Sequence, residues 1–231
     1  MSEAFPFQTI QDIAWPLKEC RRCPRLVAWR ETVSLEKRRA FREVEYWGKP
    51  VPGFGDREAR LLVLGLAPGA HGSNRTGRMF TGDASGVFLF RALHRAGFAS
   101  QAEATARDDG LRLRDVYISA VVKCAPPQNK PTPLELHTCQ PWLEAEMAEL
   151  KQLQGIVVLG KIAFDGLLSL PAFKPEQRPE WQFKHLAFYE LGQGLPWLLC
   201  SYHPSRQNTQ TRRLTEEMFD AVWQLASQKL I

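Results

Sequence analysis

Four short runs of consecutive apolar residues, separated by segments with helical patterns, constrain the fold of this chain most. They fall at residues 60–66, 116–122, 155–160 and 195–201. Strands buried on both faces have this continuous apolar character, and strands that alternate with helices form a parallel sheet covered on both sides. The sequence therefore predicts an α/β fold, a three-layer α/β/α sandwich with a mostly parallel, four-stranded central sheet.

The rest of the chain divides into helices and loops. Helices are expected at about 8–30, 85–96, 132–150, 161–169 and 211–230, and loop or short antiparallel strand at 171–196. Pro24 is expected to bend or interrupt the first helix, and Thr132 with Glu135 three residues on indicates the start of the third. A chain of 231 residues can bury one full hydrophobic core. Residues 1–231 are therefore expected to form a single domain.

The composition argues against several classes of protein. Apolar residues make up 44% of the chain and charged residues 24%, values typical of globular proteins. No apolar run approaches the ~20 residues that span a bilayer, and the first residues lack the basic and apolar regions of a secretory signal. We therefore expect a cytoplasmic protein with no membrane association.

The charge balance gives a weaker indication. Thirty Lys and Arg against 25 Asp and Glu give a net charge of +5 and a pI near 9.0. A basic balance favours a polyanionic partner such as nucleic acid, although a solvated helical face is the simpler explanation of the basic residues near the N-terminus. Charge alone does not choose between them.

The spacing of the cysteines is more informative. Cys20 and Cys23 form a C-x-x-C pair, and Cys124 and Cys139 follow far downstream. In a reducing compartment this pattern suits a closed four-thiolate metal site better than disulfides. Zinc and an iron–sulfur cluster both accept four thiolates, and four unrelated core cysteines are the alternative. Cys200 lies in an apolar run and is expected in the core.

Polar residues gather where the predicted strands end. Ligands bind at the carboxyl ends of the strands in parallel sheets, which points to the loops after residues 66, 122, 159 and 201. The loop at 67–82 is rich in glycine and lacks both the P-loop and the G-x-G-x-x-G pattern. We therefore expect a ligand site there and no nucleotide cofactor.

Two side chains at these ends stand out for chemistry. His203 follows the fourth strand and precedes Pro204, which suits a neutral hydrogen-bond donor or an acid, with His71 as the second choice among the five histidines. Asp83 closes the glycine-rich loop. It is also a plausible N-cap for a helix beginning at Ala84, and the two roles are compatible.

Several motifs together resemble one known family. The sequence Gly-Leu-Ala-Pro-Gly at 65–69 and His-Pro-Ser at 203–205 resemble the two active-site motifs of the uracil-DNA glycosylase superfamily. The four cysteines match the cluster ligands of its iron–sulfur families four and five. The segments at 71–83 and 206–211 resemble family five, and the matches run from residue 20 to about 215.

The resemblance implies a monofunctional DNA N-glycosylase of base excision repair. Such an enzyme flips uracil out of DNA, hydrolyses its glycosidic bond and leaves an abasic site without cutting the strand. The resemblance further implies a structural 4Fe–4S cluster, DNA containing uracil or other deaminated bases as the partner, and a monomer. Leu66 and Ala120 replace an acidic residue and an asparagine of family four, which implies relaxed base selectivity that extends to hypoxanthine and xanthine.

Roles can be carried over to residues of this chain. Phe80 is expected to stack on the flipped base, and His203 to donate to its carbonyl oxygen. The expected catalytic residues are Asp83, Asn129 and His203. The expected substrate-binding residues are Gly65, Ala67, Gly69, His71, Phe80 and Ala120. The expected DNA-binding residues are Arg75, Arg78, Arg206, Gln207 and Asn208, and the expected cluster ligands are Cys20, Cys23, Cys124 and Cys139.

Two other functions remain open at this point. A non-catalytic nucleic-acid-binding protein with a four-cysteine zinc site explains the charge and the cysteines, but not the polar residues at successive strand ends. An iron–sulfur electron carrier is the third hypothesis, and the sequence shows no flavin or nicotinamide fingerprint to support it.

Overall fold

A six-stranded sheet runs through the centre of the structure. The structure is a computed structural model, and it describes residues 10–173, 181–192 and 194–230. In chain order the strands are β1 (Phe54–Gly55), β2 (Leu61–Gly65), β3 (Val116–Ala120), β4 (Gly155–Leu159), β5 (Phe188–Tyr189) and β6 (Trp197–Ser201). The helices are α1 (Ile10–Lys18), α2 (Pro24–Glu36), α3 (Ser73–Thr76), α4 (Ala84–Arg95), α5 (Pro133–Glu149), α6 (Lys161–Leu168), α7 (Arg206–Gln210) and α8 (Glu216–Lys229).

The sheet confirms the predicted parallel core and extends it. Its order is β1-β3-β2-β4-β6-β5, and the four inner strands are mutually parallel. A two-residue strand also pairs antiparallel with each edge, Phe54 with Ile118 and Phe188 with Leu199. The second of these lies in the segment at 171–196, where a short antiparallel strand was one of the two expectations, whereas the first was not expected. Strands this short carry too few residues to give a sequence pattern.

Each face of the sheet buries its own apolar cluster. Successive side chains of a strand point to opposite faces, so Leu62 and Leu64 of β2 pack toward α1, α5 and α6. Leu61 and Val63 pack toward α4 and α8 on the other side. The three-layer α/β/α arrangement is thereby confirmed. Within the described residues, no helix has the length and apolar character that crossing a membrane requires.

The N-terminal region differs from the expectation of one helix over 8–30. Residues 8 and 9 lie outside the described part. The remainder forms two helices, because α1 ends at Lys18 and α2 begins at Pro24. Proline lacks an amide hydrogen and is favoured in a first helical turn. Cys20 and Cys23 therefore lie in the connection between α1 and α2, not within a helix.

Helix starts confirm the capping signals of the sequence. Thr132 accepts a hydrogen bond from the amide of Glu135, whose carboxylate accepts one from the amide of Thr132. Asp83 caps α4 by accepting from the amide of Gly86. Caps of this kind contribute about 1 kcal/mol each. The last helix starts later than expected, because Thr215 caps α8 and a separate short helix, α7, precedes it.

Candidate active site

A cavity of about 840 Å³ opens where β2, β4 and β6 end. The loops after these strands, and the loop after β3, supply its walls. Arg206, Gln207 and Asn208 lie at one side of it. Its lining also includes Leu66 and most of the predicted catalytic and substrate-binding residues, namely Ala67, Gly69, His71, Phe80, Asp83, Asn129 and His203.

Phe80 is held at the base of the cavity in a strained backbone conformation. Its φ is +52°, in the left-handed region that costs a non-glycine residue about 1–2 kcal/mol. Two glycines give it room: a Cβ on Gly86 would overlap the Phe80 carbonyl oxygen, and one on Gly65 would meet its ring at 2.9 Å. The ring, 9% exposed, can therefore lie directly against the end of β2.

His203 lies beside Phe80. The centroids of their rings are 6.0 Å apart and their planes meet at 31°. Burial lowers the pKa of His203 to about 4, so the imidazole is neutral at physiological pH and can donate one hydrogen bond. The side-chain amide of Asn208 donates to the carbonyl oxygen of His203 over 2.9 Å. The rings of Phe80 and His203 thus form one aromatic surface in the cavity, and the His203 ring nitrogens supply its polar atoms.

Asp83 joins the start of α4 to the glycine-rich loop. Its Oδ1 accepts from the amide of Gly86 at 2.9 Å. A Cβ on Gly72 would overlap its Oδ2, and one on Gly69 would meet it at 3.0 Å. Burial raises the pKa of Asp83, although the amides of Gly86 and Ser85 oppose that rise. The residue therefore combines capping with a carboxylate oxygen at the cavity wall.

Asn129 reaches the cavity from the loop after β3. It ends the short 3₁₀ turn Pro127–Asn129, and both Gln128 and Asn129 have left-handed backbones, with φ of +55° and +57°. Asparagine tolerates this conformation better than most residues. Asn129 is exposed and lines the same cavity as Asp83 and His203. The structure thus brings the three predicted catalytic residues to one site.

His71 lies at the rim, against Tyr46. Its Nδ1 is 3.2 Å from the Tyr46 hydroxyl. Burial lowers the pKa of His71, and the charges of Arg38 and Arg75 lower it further. His71 is therefore a second neutral imidazole at the cavity.

The structure corrects the expectation that Arg78 contacts DNA. Arg78 is 4% exposed and pairs with Asp109 through two hydrogen bonds of 2.8 and 2.7 Å. A guanidinium that is buried and held by a bidentate ion pair is not available to a phosphate at the surface. Arg75 is also engaged within the loop, because it donates to the carbonyl oxygens of His71 and Gly82 and its guanidinium lies 4.1 Å from the Phe41 ring centroid.

The other predicted residues divide by exposure. Arg206 and Gln207 are exposed at the cavity mouth, as DNA-binding residues should be. Asn208 is half-buried and supports His203, as described above. Gly65 and Ala120, expected to bind substrate, pair with each other at the ends of β2 and β3 and do not line the cavity. Ala120 is 1% exposed and belongs to the same apolar cluster as Phe80.

Sequence reasoning missed several lining residues. Lys161 and Ile162 begin α6 directly after β4, and Tyr202 precedes His203; the strand-end rule pointed to both loops, so these residues could have been included. Arg213 had no such signal. Its guanidinium lies 4.8 Å from the Tyr202 ring centroid, on an exposed side chain at the cavity.

The four cysteines of the predicted cluster line a second, small cavity of about 10 Å³, together with Leu17 and Trp142. Burial raises the pKa of Cys124 to about 11 and that of Cys139 to about 12. Within the described residues, no group of three or more His, Cys, Asp or Glu side chains forms a ready-made site for a metal ion. What the region offers is a set of four thiols around one apolar space. Cys200 lies apart from them in the core, as predicted.

Burial favours the protonated form of these thiols when they stand alone, and a buried arginine supplies the positive charge that thiolates bound to a metal group would need. Arg30 is 2% exposed, and its Nη1 donates to Cys124 Sγ at 2.8 Å while its Nη2 donates to the Cys20 carbonyl oxygen at 3.2 Å. Among the described residues its Nε has no hydrogen-bond partner, and its nearest ion-pair oxygen, on Glu31, is 4.0 Å away. A buried cation needs a compensating anion, so the donor set fits an anionic metal–thiolate group.

Comparison with known proteins identifies the family. The sequence model of the uracil DNA glycosylase superfamily matches residues 52–227. A type-5 uracil-DNA glycosylase of Thermus thermophilus is 57% identical over 88% of this chain and 90% of its own length. One of Mycobacterium bovis is 51% identical over 90% of this chain and 76% of its own.

A more distant relative sets the boundary of the similarity. A type-4 uracil-DNA glycosylase of Pyrobaculum aerophilum is 31% identical over 82% of this chain and 79% of its own length. Identity to this type-4 protein is therefore lower than to the two type-5 proteins. The chain belongs to the uracil-DNA glycosylase superfamily, within its type-5 branch.

Proposed function

We propose that this chain excises uracil from DNA by hydrolysing its N-glycosyl bond, and that it also accepts the larger deaminated bases hypoxanthine and xanthine. The observation that carries the proposal is the cavity in which Phe80, a neutral His203 and the Asp83 carboxylate meet. A base must leave the DNA stack before its glycosidic bond can be reached. This cavity, open on one side, can receive it.

Phe80 and His203 act on the base. Stacking of the flipped base on Phe80 contributes about 1–3 kcal/mol. As the bond breaks, negative charge develops on the base, and the neutral His203 donates a hydrogen bond to its carbonyl oxygen. A donor that is positioned in advance stabilises such a charge without reorganisation.

Asp83 and Asn129 act on the water that attacks the sugar. Leu66 lines the cavity and has no polar side-chain atom to hold a water molecule. The Oδ2 of Asp83 faces Gly69 and Gly72, and the raised pKa of this carboxyl group makes it a better base than an ordinary aspartate. Asn129 supplies an amide that can orient the same water.

The volume of the cavity supports activity on bases of different sizes. Its volume of about 840 Å³ lies in the upper part of the range for small-molecule sites. Ala120 does not line the cavity, but it lies at the end of β3 in the same apolar cluster as Phe80 and brings no amide that could reach past Phe80 to the edge of uracil. Selectivity then rests on His203, on backbone groups of the loop at 67–72 and on the ease of flipping a mismatched base.

Cys20, Cys23, Cys124 and Cys139 would hold a 4Fe–4S cluster. The support is the buried guanidinium of Arg30 directed at Cys124 and the common cavity of the four thiols. Through these residues a bound cluster would link the connection between α1 and α2, the loop after β3 and α5. Hydrolysis of the glycosidic bond itself requires no electron transfer, so the cluster's contribution is structural.

Base-range experiments test the proposal directly. Matched duplexes containing uracil, hypoxanthine or xanthine are treated with the wild type, Ala120→Asn and Ala120→Val. All three bases should be released by the wild type, and Ala120→Asn should favour uracil, whereas Ala120→Val controls for volume without an amide. A wild type that binds these duplexes and releases no base would support a non-catalytic binding protein instead.

The same reactions distinguish hydrolysis from strand cutting. Lys161 lines the cavity and is paired with Asp165, while Lys123 is buried against Glu146 and Ser119. Neither is placed in the motifs that contact the base, so a Schiff base with the sugar is not expected. Borohydride should therefore trap no covalent complex with DNA, and a trapped complex would contradict a monofunctional enzyme.

A further inference from the structure

His185 lies directly behind the end of β6, outside the residues that line the cavity. Its Nδ1 accepts a hydrogen bond from the backbone amide of Tyr202 at 3.2 Å, and its Nε2 is 3.2 Å from the carbonyl oxygen of Met218 in α8. A neutral imidazole has one donor and one acceptor. The amide of Tyr202 therefore fixes the tautomer, and Nε2 donates to Met218.

This contact holds the backbone at the point where strand pairing stops. The last residue of β6 is Ser201, so the Tyr202 amide lies beyond the parallel ladder. The Ser201 hydroxyl donates to the Tyr202 carbonyl oxygen at 2.9 Å. On the far side, the carbonyl oxygen of His203 accepts from Asn208 at 2.9 Å and from the amide of Ser205 at 2.8 Å. Side chains and a turn thus hold the backbone on both sides of His203.

Aromatic stacking reinforces the arrangement. The rings of His185 and Tyr202 are 5.0 Å apart, centroid to centroid, with an angle of 23° between their planes. The Arg213 guanidinium also lies over the Tyr202 ring. Burial lowers the pKa of His185, which keeps Nδ1 free to accept. Tyr202 is therefore fixed through both its backbone and its ring.

We propose that His185 is a positioning residue for His203: by holding the Tyr202 amide and ring, it sets the direction in which the His203 imidazole enters the cavity. The inference rests on the proposed function, in which His203 donates to the departing base. A misplacement of about 1 Å at a catalytic group can cost about 100-fold in rate. The cost of losing His185 should therefore appear in the chemical step.

A double-mutant cycle tests this dependence. His185→Phe keeps a ring on Tyr202 and removes both hydrogen bonds, whereas His185→Gln keeps an acceptor and a donor. In single-turnover excision of uracil, the rate of His185→Phe should be about 10- to 100-fold below that of the wild type. His185→Gln should retain most of the wild-type rate. In a His203→Ala background, His185→Phe should have little further effect, because its influence passes through His203. Equal losses in both backgrounds would overturn the proposal.

A second readout does not depend on activity. The NMR signals of the His203 ring in the free protein should move in His185→Phe and stay in place in His185→Gln, with thermal unfolding followed for both. If His185→Phe unfolds, His185→Leu removes the same hydrogen bonds and takes its place. Unchanged His203 signals in the folded variant would overturn the proposal. A wild type that excises no base, with His203 signals that still respond, would count against the proposed function and support the positioning role.

Discussion

Arg78 and Thr81 are joined across Phe80, because Nε of Arg78 donates to the Thr81 hydroxyl over 2.9 Å. The far side of the same guanidinium is held by Asp109, in the loop before β3. Phe80, with its left-handed backbone, lies between the two ends of this bridge. A strained residue persists only where its surroundings hold it, and here a buried ion pair does so.

Asp109→Asn should therefore loosen the floor of the cavity. Removing one partner of a buried ion pair costs about 3–5 kcal/mol, so the denaturant midpoint should fall, and KM for uracil-containing DNA should rise as Phe80 loses its fixed position. Asp108→Asn, at an exposed neighbour, is the matched control and should change stability by less than about 0.5 kcal/mol. An unchanged midpoint for Asp109→Asn would contradict this account.

The ion pair of Arg78 and Asp109 should make the stability of the fold depend on pH. Burial alone would raise the pKa of Asp109, but the hydrogen bonds from Arg78 and from the amides of Leu111, Thr105 and Ala106 hold it well below its usual range. A carboxyl group with a lowered pKa stabilises the fold above its unfolded pKa, and the contribution is lost as pH falls through the folded value. The stability gap between wild type and Asp109→Asn, measured by urea unfolding, should shrink from neutral pH toward pH ~2.

The acid limb of activity should belong to Asp83. The raised pKa of Asp83 means that the carboxylate is lost at a higher pH than for an ordinary aspartate. His203, with a pKa of about 4, is neutral near pH ~6.5 and gives no inflection there. The single-turnover rate should therefore decrease toward low pH with a single inflection. His203→Ala should leave that inflection in place and lower the rate on the plateau above it. An inflection near pH ~6.5 that disappears in His203→Ala would assign the titration to His203 instead.

Arg30→Met should weaken the retention of the cluster. The substitution removes the donor to Cys124 and leaves the thiolates without their buried cation. Loss of such an outer partner costs about 10- to 100-fold in metal affinity, so iron release to a chelator, followed by visible absorbance, should be faster by a similar factor. Arg30→Lys keeps the positive charge, and its rate of iron release should lie between those of the wild type and Arg30→Met. A purified protein without iron and with stoichiometric zinc would contradict the assignment of the cluster.

Salt dependence separates the arginines at the cavity. Arg206 and Arg213 are exposed at its mouth, and removal of one arginine–phosphate ion pair should reduce the slope of log K against log salt by about 0.9. Arg206→Ala and Arg213→Ala should each show this reduction in duplex binding. Arg112→Ala removes an exposed arginine that does not line the cavity, and it should leave the slope unchanged.

Much of the fold could be predicted because its strongest signals are local. Buried strands such as β2 and β4 are continuous apolar runs, and caps such as Thr132 have defined partners three residues on. The sequence placed a bend or interruption at Pro24 but not the extent of the break between α1 and α2, because proline is compatible both with a kink and with a new first turn. The edge strand β1 was missed, and β5 was expected only as an alternative to loop within 171–196, because pairing across the sheet, not local pattern, defines such short strands.

The site was predictable where it follows from strand ends. Asp83, Asn129 and His203 come from three different loops, and the parallel order of the sheet brings those loops together. Arg78 could not be distinguished from a DNA-binding arginine, because its partner Asp109 is 31 residues away. His185 and Arg213 depend in the same way on long-range contacts that no spacing reveals.

The two-residue strands β1 and β5 have a consequence for how copies of this chain meet. An open parallel sheet offers rows of unpaired amides and carbonyls to any neighbouring strand, which is a route to aggregation. Here each edge is closed by an antiparallel strand only two residues long. So short an edge gives an incoming strand almost no template, which disfavours edge-to-edge association between copies of the folded protein.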